Sequence, residues 1–496
     1  MEQRQRIPLS PALPPVRGGR SGADRRWLSL VVIALAALMI ALDATIVSIA
    51  LPSAQAALGA AVADRQWVVT AYTLAFGGLL LLGGRVVDHF GRKRVFLAGL
   101  AGFALASMLG GAAPNFSVLV VGRALQGAFA ALLAPATLSL LATSFTEPRE
   151  RATAFSVYGS IAGTGAALGL LLGGVLTQYL SWRWCLYVNA PIALIAGLGV
   201  WLLLRAGDAR PSAGRFDIAG VLLATGGLTA LVYACSRAVA DGWLSLGVLG
   251  WTAASVGLLA TFLVWQTRAA GPLLPLGIVL ERSRGGAYLA VALGVAGMFG
   301  AFLLLTYYLQ AVLRYTPLQA GLAFLPIAIA SQAGSWGVAR RLMPVLPPRL
   351  IMAPGALVAA GGMALLSFIQ AGGGYLTHVL PAEVLLGVGI SCLMVPAFNV
   401  GTQRVDRRQA GIASAVITTA QQVGGSLGTA LLNSIAAGAT AAYLATQAAG
   451  RPGPAALVYG YATATRWGAA ILVLGAVVSV LLVRGSRPAA TKEVAR

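Results

Sequence analysis

Long apolar runs separated by short polar segments dominate the chain. The runs repeatedly reach 18 residues or more, which is the length that an α-helix needs to cross about 30 Å of hydrocarbon. The alternation of polar and apolar residues that marks a membrane β-barrel is missing from the sequence. The first run extends from about Trp27 to Ile49, longer than the apolar core of a signal peptide, so we interpret it as a retained span. The pattern predicts an all-α polytopic membrane protein.

Fourteen spans are predicted. The polar loops between them are short, which leaves no room for a soluble catalytic domain. The longest predicted outer loop covers residues 437–462, and residues 1–26, rich in Pro and Arg, are expected to be disordered. The spans begin near positions 27, 67, 95, 117, 153, 185, 216, 246, 287, 319, 350, 379, 411 and 463.

The distribution of basic residues tests this topology. Positive residues favour the cytoplasmic side of a membrane. With a cytoplasmic N-terminus, 28 of the 35 Lys and Arg residues fall on the inner side, six fall in outer loops and Arg123 lies within a span. A missed or invented span would swap the two sides for everything beyond it. The alternation therefore supports both the count of fourteen spans and two cytoplasmic termini. The six outer residues are Arg65, Arg183, Arg237, Arg314, Arg451 and Arg466.

Composition agrees with the membrane assignment. Hydrophobic residues make up 58% of the 496 positions and charged residues 10%, and the mean hydropathy is +0.82, whereas a soluble domain carries about 25% charged residues. The net charge of +21 would favour nucleic acid binding in a soluble protein, but the loop positions of the basic residues explain it here. Three widely spaced cysteines predict neither a disulfide nor a metal site.

Two ionisable residues lie deep within predicted spans. Asp43 is in span 1, and a carboxylate at that depth is costly unless it is paired, hydrated or protonated. It can bind a proton in one conformation and release it in another; a permanent ion pair is the alternative. Arg123 in span 4 is effectively never deprotonated, so it can tune a nearby carboxylate but cannot carry the proton itself. Helix packing is its alternative role.

Two glycine-containing segments stand out. The loop after span 2 runs from Gly84 to Arg94 and places an acid among bases, which can form an ion pair that breaks when two halves move apart. In span 5, glycines recur at about four-residue spacing, which lets helix backbones approach closely. That pattern serves either static packing or a sliding surface. The span-5 glycines are Gly159, Gly163, Gly165, Gly169, Gly173 and Gly174.

These segments together resemble the major facilitator superfamily, and within it the fourteen-span drug:proton antiporters of the EmrB/QacA type. The resemblance covers nearly the whole chain. Three departures are Ser48, where Asn is usual, His89, where Arg is usual, and Leu170 after Gly169, where the antiporter motif has Pro. The matching segments and residues are Leu42–Pro52, Trp67–Tyr72, Gly84–Arg94, Arg123 with Gln126 and Gly127, Trp182–Trp184 with Asn189 and Pro191, then Tyr307, Tyr308, Gln310, Ala320, Gly321 and Pro326, and finally Gln421–Gly425.

The resemblance implies two six-helix bundles with inverted repeats around a central cavity. The expected units are residues 27–205 and 271–484 for the bundles, 206–270 for two inserted transmembrane helices, and 485–496 for a cytoplasmic tail. Asp43 would be the coupling carboxylate and Arg123 its modulator. Gly84, Asp88, Gly91 and Arg92 would form a cytoplasmic gate. Candidate cavity residues are Gln126, Tyr158, Tyr307, Tyr308, Gln310, Asn399 and Gln421.

We therefore expect a proton-coupled exporter of small amphipathic drugs or antibiotics in the bacterial cytoplasmic membrane, acting as a monomer without a cofactor. No phosphate-binding Gly-x-x-x-x-Gly-Lys-Ser/Thr loop occurs, which excludes direct use of ATP. Alternatives are a transporter of an endogenous metabolite and, remotely, a membrane enzyme, which the isolated His89 and His378 disfavour. Glu383, near the outer end of span 12, is expected at a solvated edge, although a part in coupling stays open.

Overall fold

The computed structural model describes residues 20–61, 64–145, 147–204, 217–269, 271–274, 276–402, 410–446 and 453–484. Within these ranges the chain is helical and contains no strand. The α-helices are α1 Arg20–Leu58, α2 Trp67–Phe90, α3 Arg92–Gly111, α4 Phe116–Ser144, α5 Pro148–Tyr179, α6 Trp184–Tyr187, α7 Asn189–Leu203, α8 Ile218–Asp241, α9 Leu246–Arg268, α10 Leu276–Val279, α11 Arg282–Tyr307, α12 Pro317–Ala323, α13 Leu325–Ala333, α14 Arg340–Leu342, α15 Arg349–Leu366, α16 Leu380–Thr402, α17 Ala410–Ala445 and α18 Pro454–Leu482. Three π-helical turns cover Tyr308–Val312, Gly334–Ala339 and Tyr375–Val379.

Twelve of the described helical segments are long and apolar enough to cross a membrane. Two shorter apolar stretches, Trp67–Leu80 in α2 and Ala167–Tyr179 in α5, lie where spans 2 and 5 are predicted. The all-α membrane architecture is thereby confirmed, and the count of fourteen spans stays a prediction. Consecutive segments run in opposite directions, so their ends fall on two sides. We call these the Gln66 end and the Gly91 end, after the residues at the two ends of α2.

The first six predicted spans pack as one bundle. α2 lies against α4, α1 against α5, and α3 against α4, while α7 closes the group by contacting α1 and α3. Aromatic and aliphatic side chains fill the interior between α2, α3 and α4, including the fully buried Phe96, Phe103 and Leu133. Asn115 begins α4 by accepting a hydrogen bond from the Val118 N–H at 3.0 Å, which satisfies one of the free amides at a helix start.

The last six predicted spans pack as a second bundle. α11 lies against α17 and α18, and α15 lies against α16 and α18. α13 packs on α16, where a Cβ on Gly387 would lie 2.5 Å from the Ile327 carbonyl oxygen. Thr316 begins α12 with a capping box, in which its side chain and that of Gln319 bond each other's backbone N–H groups. The division of the chain into domains at the expected boundaries stays a prediction.

The two inserted helices form a hairpin beside the bundles. α8 contacts α9, α2 and α17. Asp217, at the start of α8, links the two helices of the hairpin at the Gly91 end. Asp217 accepts hydrogen bonds from Gln266 Nε2 at 2.7 Å, Trp265 Nε1 at 2.6 Å and the Gly220 N–H at 2.8 Å. Burial alone would raise the pKa of Asp217, but these hydrogen bonds outweigh it and lower the pKa below its ordinary value.

The bundles meet along two helix pairs. α2 packs on α17, and α5 packs on α12. In the first pair Gly77 is so close to Gln422 that an added Cβ would lie 2.8 Å from the Gln422 Cβ. In the second, a Cβ on Gly174 would lie 2.8 Å from the Leu318 Cα. Small residues therefore bring the backbones of the two bundles together.

Two expected nonhelical segments are shorter than predicted. α1 begins at Arg20, so residues 20–26 are helical rather than disordered, while residues 1–19 and 485–496 lie outside the described part. α17 continues to Ala445 and α18 begins at Pro454, so much of the predicted loop 437–462 is helical. Propagating a helix costs little once it has formed, and alanine favours it. Hydropathy locates the apolar part of a helix and misses such extensions.

Candidate functional site

Asp43 lies at the centre of a polar cluster inside the first bundle. Its side chain, in α1, is fully buried and accepts three hydrogen bonds from other helices. Arg123 Nη1 of α4 donates to Oδ2 at 2.6 Å, while Gln126 Nε2 and Asn189 Nδ2 donate to Oδ1 at 3.1 and 2.9 Å. The carboxylate is therefore paired with a cation and hydrogen-bonded on both oxygens.

Arg123 is held by groups from two helices. Its Nε donates to the Val68 carbonyl oxygen of α2 at 3.0 Å, and Nη1 also donates to Gln126 Oε1 at 2.9 Å. The guanidinium lies 4.4 Å from the centroid of the Tyr72 ring, a distance at which a cation is attracted to an aromatic face. The side chain is 2% exposed. The position of Arg123 is thus fixed from α2 and α4 at once, and Asp43 is its ion-pair partner.

A second layer of polar groups supports the cluster. Ser107 Oγ of α3 accepts from Gln126 Nε2 at 2.9 Å and from Asn189 Nδ2 at 3.0 Å, and it donates to the Leu186 carbonyl oxygen at 2.7 Å. The predicted proton-coupling pair is therefore part of a network that includes α1, α3, α4 and α7. Ser107 was missed by sequence reasoning, because a single serine in an apolar span carries no distinctive signal.

Glycines of α5 determine how closely α1 is packed around Asp43. A Cβ on Gly165 would lie 2.7 Å from the Ala41 Cβ, one on Gly169 only 2.1 Å from Thr45 Oγ1, and one on Gly173 2.8 Å from the Ile46 carbonyl oxygen. These α1 residues surround Asp43 on both sides in sequence. The predicted close-packing glycines therefore shape the backbone next to the carboxylate.

Leu170, which stands where the antiporter motif has proline, lies at the interface between bundles. It is 1% exposed, and a Cβ on Gly321 of α12 would lie 2.5 Å from its carbonyl oxygen. Gly174 of α5 contacts α12 one turn later. One face of α5 thus packs on α1 beside Asp43, and the neighbouring face packs on the second bundle. α5 is the element that links the buried carboxylate to the relative position of the bundles.

Polar side chains join the bundles at the Gln66 end. Arg65 Nε donates to Asn433 Oδ1 at 2.8 Å, and Asn433 Nδ2 donates to Gln66 Oε1 at 2.8 Å. The Arg65 guanidinium lies 3.7 Å from the centroid of the Tyr307 ring, and Tyr307 Oη donates to Gln55 Oε1 at 2.5 Å. We call Gln55, Arg65, Gln66, Tyr307 and Asn433 the Gln66-end cluster. It holds this end of the protein closed.

Two further contacts strengthen this closure. Gln310 Nε2 donates to the Ile49 carbonyl oxygen at 3.0 Å, and Gln178 Oε1 accepts from the Leu318 N–H at 3.2 Å. Both join the first bundle to the second. Tyr307 and Gln310 were predicted to line a cavity, and the structure places both in contacts between bundles. Asn433 was not predicted, because a polar residue in an apolar helix does not reveal its partner.

The glycines of the predicted gate are at or near the other end of α2. Gly91 separates α2 from α3 and has φ 89° and ψ 141°, a backbone conformation that other residues adopt rarely. Gly84 lies about two helical turns earlier, and no atom lies within 4 Å of its Cβ position. Arg92 is exposed. The side chain of Asp88 lies outside the described part of the structure, so the proposed Asp88–Arg92 pair stays a prediction.

The remaining candidate cavity residues are dispersed. Tyr308 Oη donates to the Gln370 carbonyl oxygen at 2.8 Å within the second bundle. Tyr158 packs against the cluster of Leu30, Leu141, Phe145 and Ala154. Gln126 belongs to the Asp43 network. Asn399 in α16 and Gln421 in α17 are half-buried, and their role as cavity lining stays a prediction.

The expectation that Glu383 occupies a solvated edge was wrong. Its side chain, in the first turn of α16, is fully buried. Hydropathy places the residue near the end of a span, but the π-helical turn Tyr375–Val379 continues the helix beyond it and covers it.

Paired helical bundles with a buried carboxylate between transmembrane helices define a secondary transporter rather than an enzyme. The sequence model of the Major Facilitator Superfamily matches residues 33–429, and the chain belongs to that superfamily. It is 51% identical over 98% of its length to the puromycin resistance protein pur8 of Streptomyces alboniger, covering 97% of that protein. It is 37% identical to the cephamycin export protein CmcT of Amycolatopsis lactamdurans, with 85% of this chain and 87% of that one covered. The predicted class of efflux transporter is confirmed.

Solved structures support the fold. A bacterial homologue of the human lysosomal transporter Spinster, in an inward-facing and unoccupied conformation, matches with a TM-score of 0.68 at 16% identity, covering 94% of this chain and 98% of that one. The POT family transporter PepTSo matches with a TM-score of 0.66 at 14% identity, covering 92% of this chain and 97% of that one. At these identities the likeness concerns the fold alone.

Proposed function

We propose that this protein exports small amphipathic antibiotics, puromycin among them, across the bacterial cytoplasmic membrane in exchange for protons. The observation that carries the proposal is the buried pair of Asp43 and Arg123, which lies within the bundle and next to the helix that contacts the opposite bundle. Asp43 is the proton-binding group, and Arg123 modulates it. The 51% identity to a puromycin resistance protein supports the choice of substrate.

Proton exchange at Asp43 changes the charge balance of the cluster. When Asp43 is ionised, the pair with Arg123 is neutral as a whole and fully hydrogen-bonded. When Asp43 binds a proton, Arg123 is left as an uncompensated cation inside the bundle, which is costly in a low-dielectric interior. The helices around Arg123 then favour another arrangement, in which the cost of the uncompensated cation is relieved. Proton binding is thereby coupled to conformational change.

The conformational change is a rocking of the bundles, residues 27–205 against 271–484. The contacts of α5 with α12 and of α2 with α17 use small residues and few hydrogen bonds, which suits movement along them. The Gln66 end is the outer face, so the Gln66-end cluster closes the protein to the outside. The Gly91 end is cytoplasmic, with Gly84, Asp88, Gly91 and Arg92 in the inner gate. Both chain termini are cytoplasmic.

The energy source is the proton gradient, and no cofactor is required. A membrane potential supplies about 2.3 kcal/mol per elementary charge per 100 mV, so one or two protons moving inward sustain a substantial substrate gradient. Substrate recognition relies on an aromatic and polar wall with few fixed charges, for which Tyr158, Tyr308, Asn399 and Gln421 are the candidates. Such walls suit amphipathic molecules. The transporter works as a monomer and without nucleic acid.

Expression in an efflux-deficient bacterial strain tests the proposal. The protein should raise the puromycin concentration that the strain tolerates, and a protonophore should remove its ability to lower cellular puromycin. In proteoliposomes, protons should move in the direction opposite to puromycin. Puromycin entry into the lumen should therefore make the lumen more alkaline. Puromycin movement that proceeds unchanged without a proton gradient contradicts the exchange mechanism. A reporter fused to the C-terminus should be cytoplasmic; a signal from outside contradicts the orientation.

A further inference from the structure

A second carboxyl group is buried in the other bundle. Glu383 of α16 is fully buried, and its Oε1 makes no hydrogen bond in the described part of the structure. Its Oε2 lies 3.1 Å from the Tyr375 hydroxyl. Among the described residues, no Lys, Arg or His nitrogen lies within 4.0 Å of either oxygen. Asp43, in contrast, receives three donors, one of them a cation.

The hydrogen bonds of Tyr375 indicate where the protons are. The Tyr375 hydroxyl also lies 2.7 Å from the Ala323 carbonyl oxygen, at the junction of α12 and α13. A tyrosine hydroxyl has one proton to donate, and a carbonyl oxygen has none. Because the shorter contact is to Ala323, the tyrosine proton belongs there. The contact between Tyr375 and Glu383 then needs a proton on the carboxyl group.

We propose that Glu383 and Tyr375 form a second proton-binding site, occupied when the Gln66 end is closed. In the occupied site Glu383 donates its proton to Tyr375 Oη, and Tyr375 donates to the Ala323 carbonyl oxygen, so every contact has one donor and one acceptor. The ionised form would be a buried anion with no cation beside it among the described residues and with one oxygen that none of their donors reaches, which is strongly unfavourable. Only the O–H bond of the carboxyl group forms or breaks.

The titratable groups around the site cannot replace that proton. Tyr375 is already a partner, and the Tyr315 ring lies 6.4 Å from it, centroid to centroid. His378, on the same π-helical turn as Tyr375, has Nδ1 2.8 Å from Thr377 Oγ1. The helices packed against α16, namely α11, α13, α15 and α17, contribute no ion-pair partner within 4.0 Å in the described ranges. The site therefore depends on a bound proton for its neutrality.

The site lies where it can affect closure of the proposed outer face. This part of the inference rests on the proposed function. Glu383 is near the Gln66 end, the proposed outer face, and Tyr375 contacts Ala323 at the end of α12, the helix that packs against α5. The proton comes from external water and is enclosed as the Gln66 end closes. Closing the outer face with Glu383 ionised would trap an unpaired anion. Protonation of Glu383 is accordingly a condition for that closure.

Infrared difference spectroscopy on the purified full-length protein tests the site without requiring transport. At neutral pH, wild type minus Glu383→Gln should show the C=O stretching band of one protonated carboxyl group, and wild type minus Tyr375→Phe should show that band shifted. Glu281→Gln is the control. Glu281 accepts hydrogen bonds from the Ser283 and Arg284 N–H groups, so its removal should take away no such band. Absence of the band in the Glu383 difference overturns the proposal.

A transport measurement tests the consequence. In proteoliposomes with puromycin as the probe, wild-type exchange should depend on the pH of the outer solution, and Glu383→Gln should reduce that dependence to less than about twofold while retaining exchange. An unchanged dependence on outer pH contradicts the role in closure. If wild type does not move puromycin, the proposed function fails, and the infrared result still decides whether Glu383 binds a proton.

Discussion

Arg123 donates a hydrogen bond to Asp43 over 2.6 Å, from α4 to α1, and both side chains are almost completely buried. A buried ion pair has a large desolvation cost that its partners must offset. Here Gln126 and Asn189 complete the hydrogen bonds of the carboxylate, and Val68 and Tyr72 accommodate the guanidinium. The pair is stable as long as both members keep their charge, which makes it responsive to a single proton.

Replacing Asp43 should separate function from stability. Asp43→Asn removes the proton-binding group and leaves Arg123 as a buried unpaired cation, so we expect no proton exchange and a loss of about 3–5 kcal/mol of stability. The double variant Asp43→Asn with Arg123→Gln is the matched control, because it removes the unpaired charge. Thermal unfolding in detergent and puromycin-driven proton flux in proteoliposomes are the measurements. The double variant should regain stability without regaining exchange; proton exchange by either variant contradicts the role of Asp43.

Conservative and nonconservative changes at Arg123 should differ. Arg123→Lys keeps the charge beside Asp43 but loses the planar group that also reaches Val68 and Gln126. Arg123→Ala leaves the carboxylate buried without a cation. We expect Arg123→Lys to retain a reduced part of the exchange rate and Arg123→Ala to retain almost none. The comparison uses initial rates at equal protein content. Wild-type rates in both variants would show that Arg123 serves only for helix packing.

A single methyl group at Gly169 should disturb the packing around Asp43. A Cβ there would lie 2.1 Å from Thr45 Oγ1 and 2.7 Å from the Leu42 carbonyl oxygen, so α1 and α5 must move apart. Overpacking of this kind costs about 1–3 kcal/mol. Gly361→Ala is the control, since nothing lies within 4 Å of its Cβ position. Unfolding temperature and puromycin resistance should fall for Gly169→Ala only. Equal behaviour of the two variants would contradict the close approach.

Removing Arg65 should open the Gln66 end. The side chain bonds Asn433 and covers the Tyr307 ring. A hydrogen bond to a charged group contributes about 1.5–3 kcal/mol, which corresponds to about a 10- to 100-fold change in a conformational equilibrium. Spin labels at positions 180 and 376, both exposed at this end, report the separation of the bundles in a variant without Cys185, Cys235 and Cys392.

The expected result for Arg65→Ala is a larger fraction of long distances between the two labels. Arg466→Ala is the control, because it removes an exposed arginine in the middle part of α18. It should leave the distance distribution of the parent protein unchanged. An identical distribution for Arg65→Ala and its parent would mean that the Gln66-end cluster does not hold the bundles together.

The hairpin of α8 and α9 should show a pH-dependent stability. Hydrogen bonds from Gln266, Trp265 and Gly220 lower the pKa of Asp217 despite its burial. Its folded pKa lies below the unfolded value, so its stabilising contribution is present above the unfolded pKa and is lost as pH falls through the folded pKa. Asp217→Asn should destabilise the protein at neutral pH and have little effect in acid. Unfolding curves measured from acid to neutral pH test this prediction. A difference in stability between wild type and Asp217→Asn that does not change with pH contradicts the lowered pKa of Asp217.

Local sequence features determine much of the architecture of this protein. Helices must satisfy their own backbone hydrogen bonds in lipid, so apolar runs of sufficient length determine the all-α architecture without reference to any partner. Asp43 and Arg123 were identifiable because an ionisable residue in such a run is conspicuous. The packing of α5 was indicated by the spacing of Gly165, Gly169 and Gly173, since only small residues permit backbones to approach that closely.

Other features were decided only by tertiary structure. Ser107 and Asn433 look unremarkable in their apolar helices, and their importance comes from which distant side chains they meet. Tyr307 and Gln310 looked like cavity residues, yet the chain brings them against Gln55 and Ile49 of the other bundle. Glu383 looked solvated until the turn containing Tyr375 covered it. Hydropathy measures how each segment prefers lipid to water, but hydrogen-bond partners and burial depend on the docking of helices that are far apart in sequence.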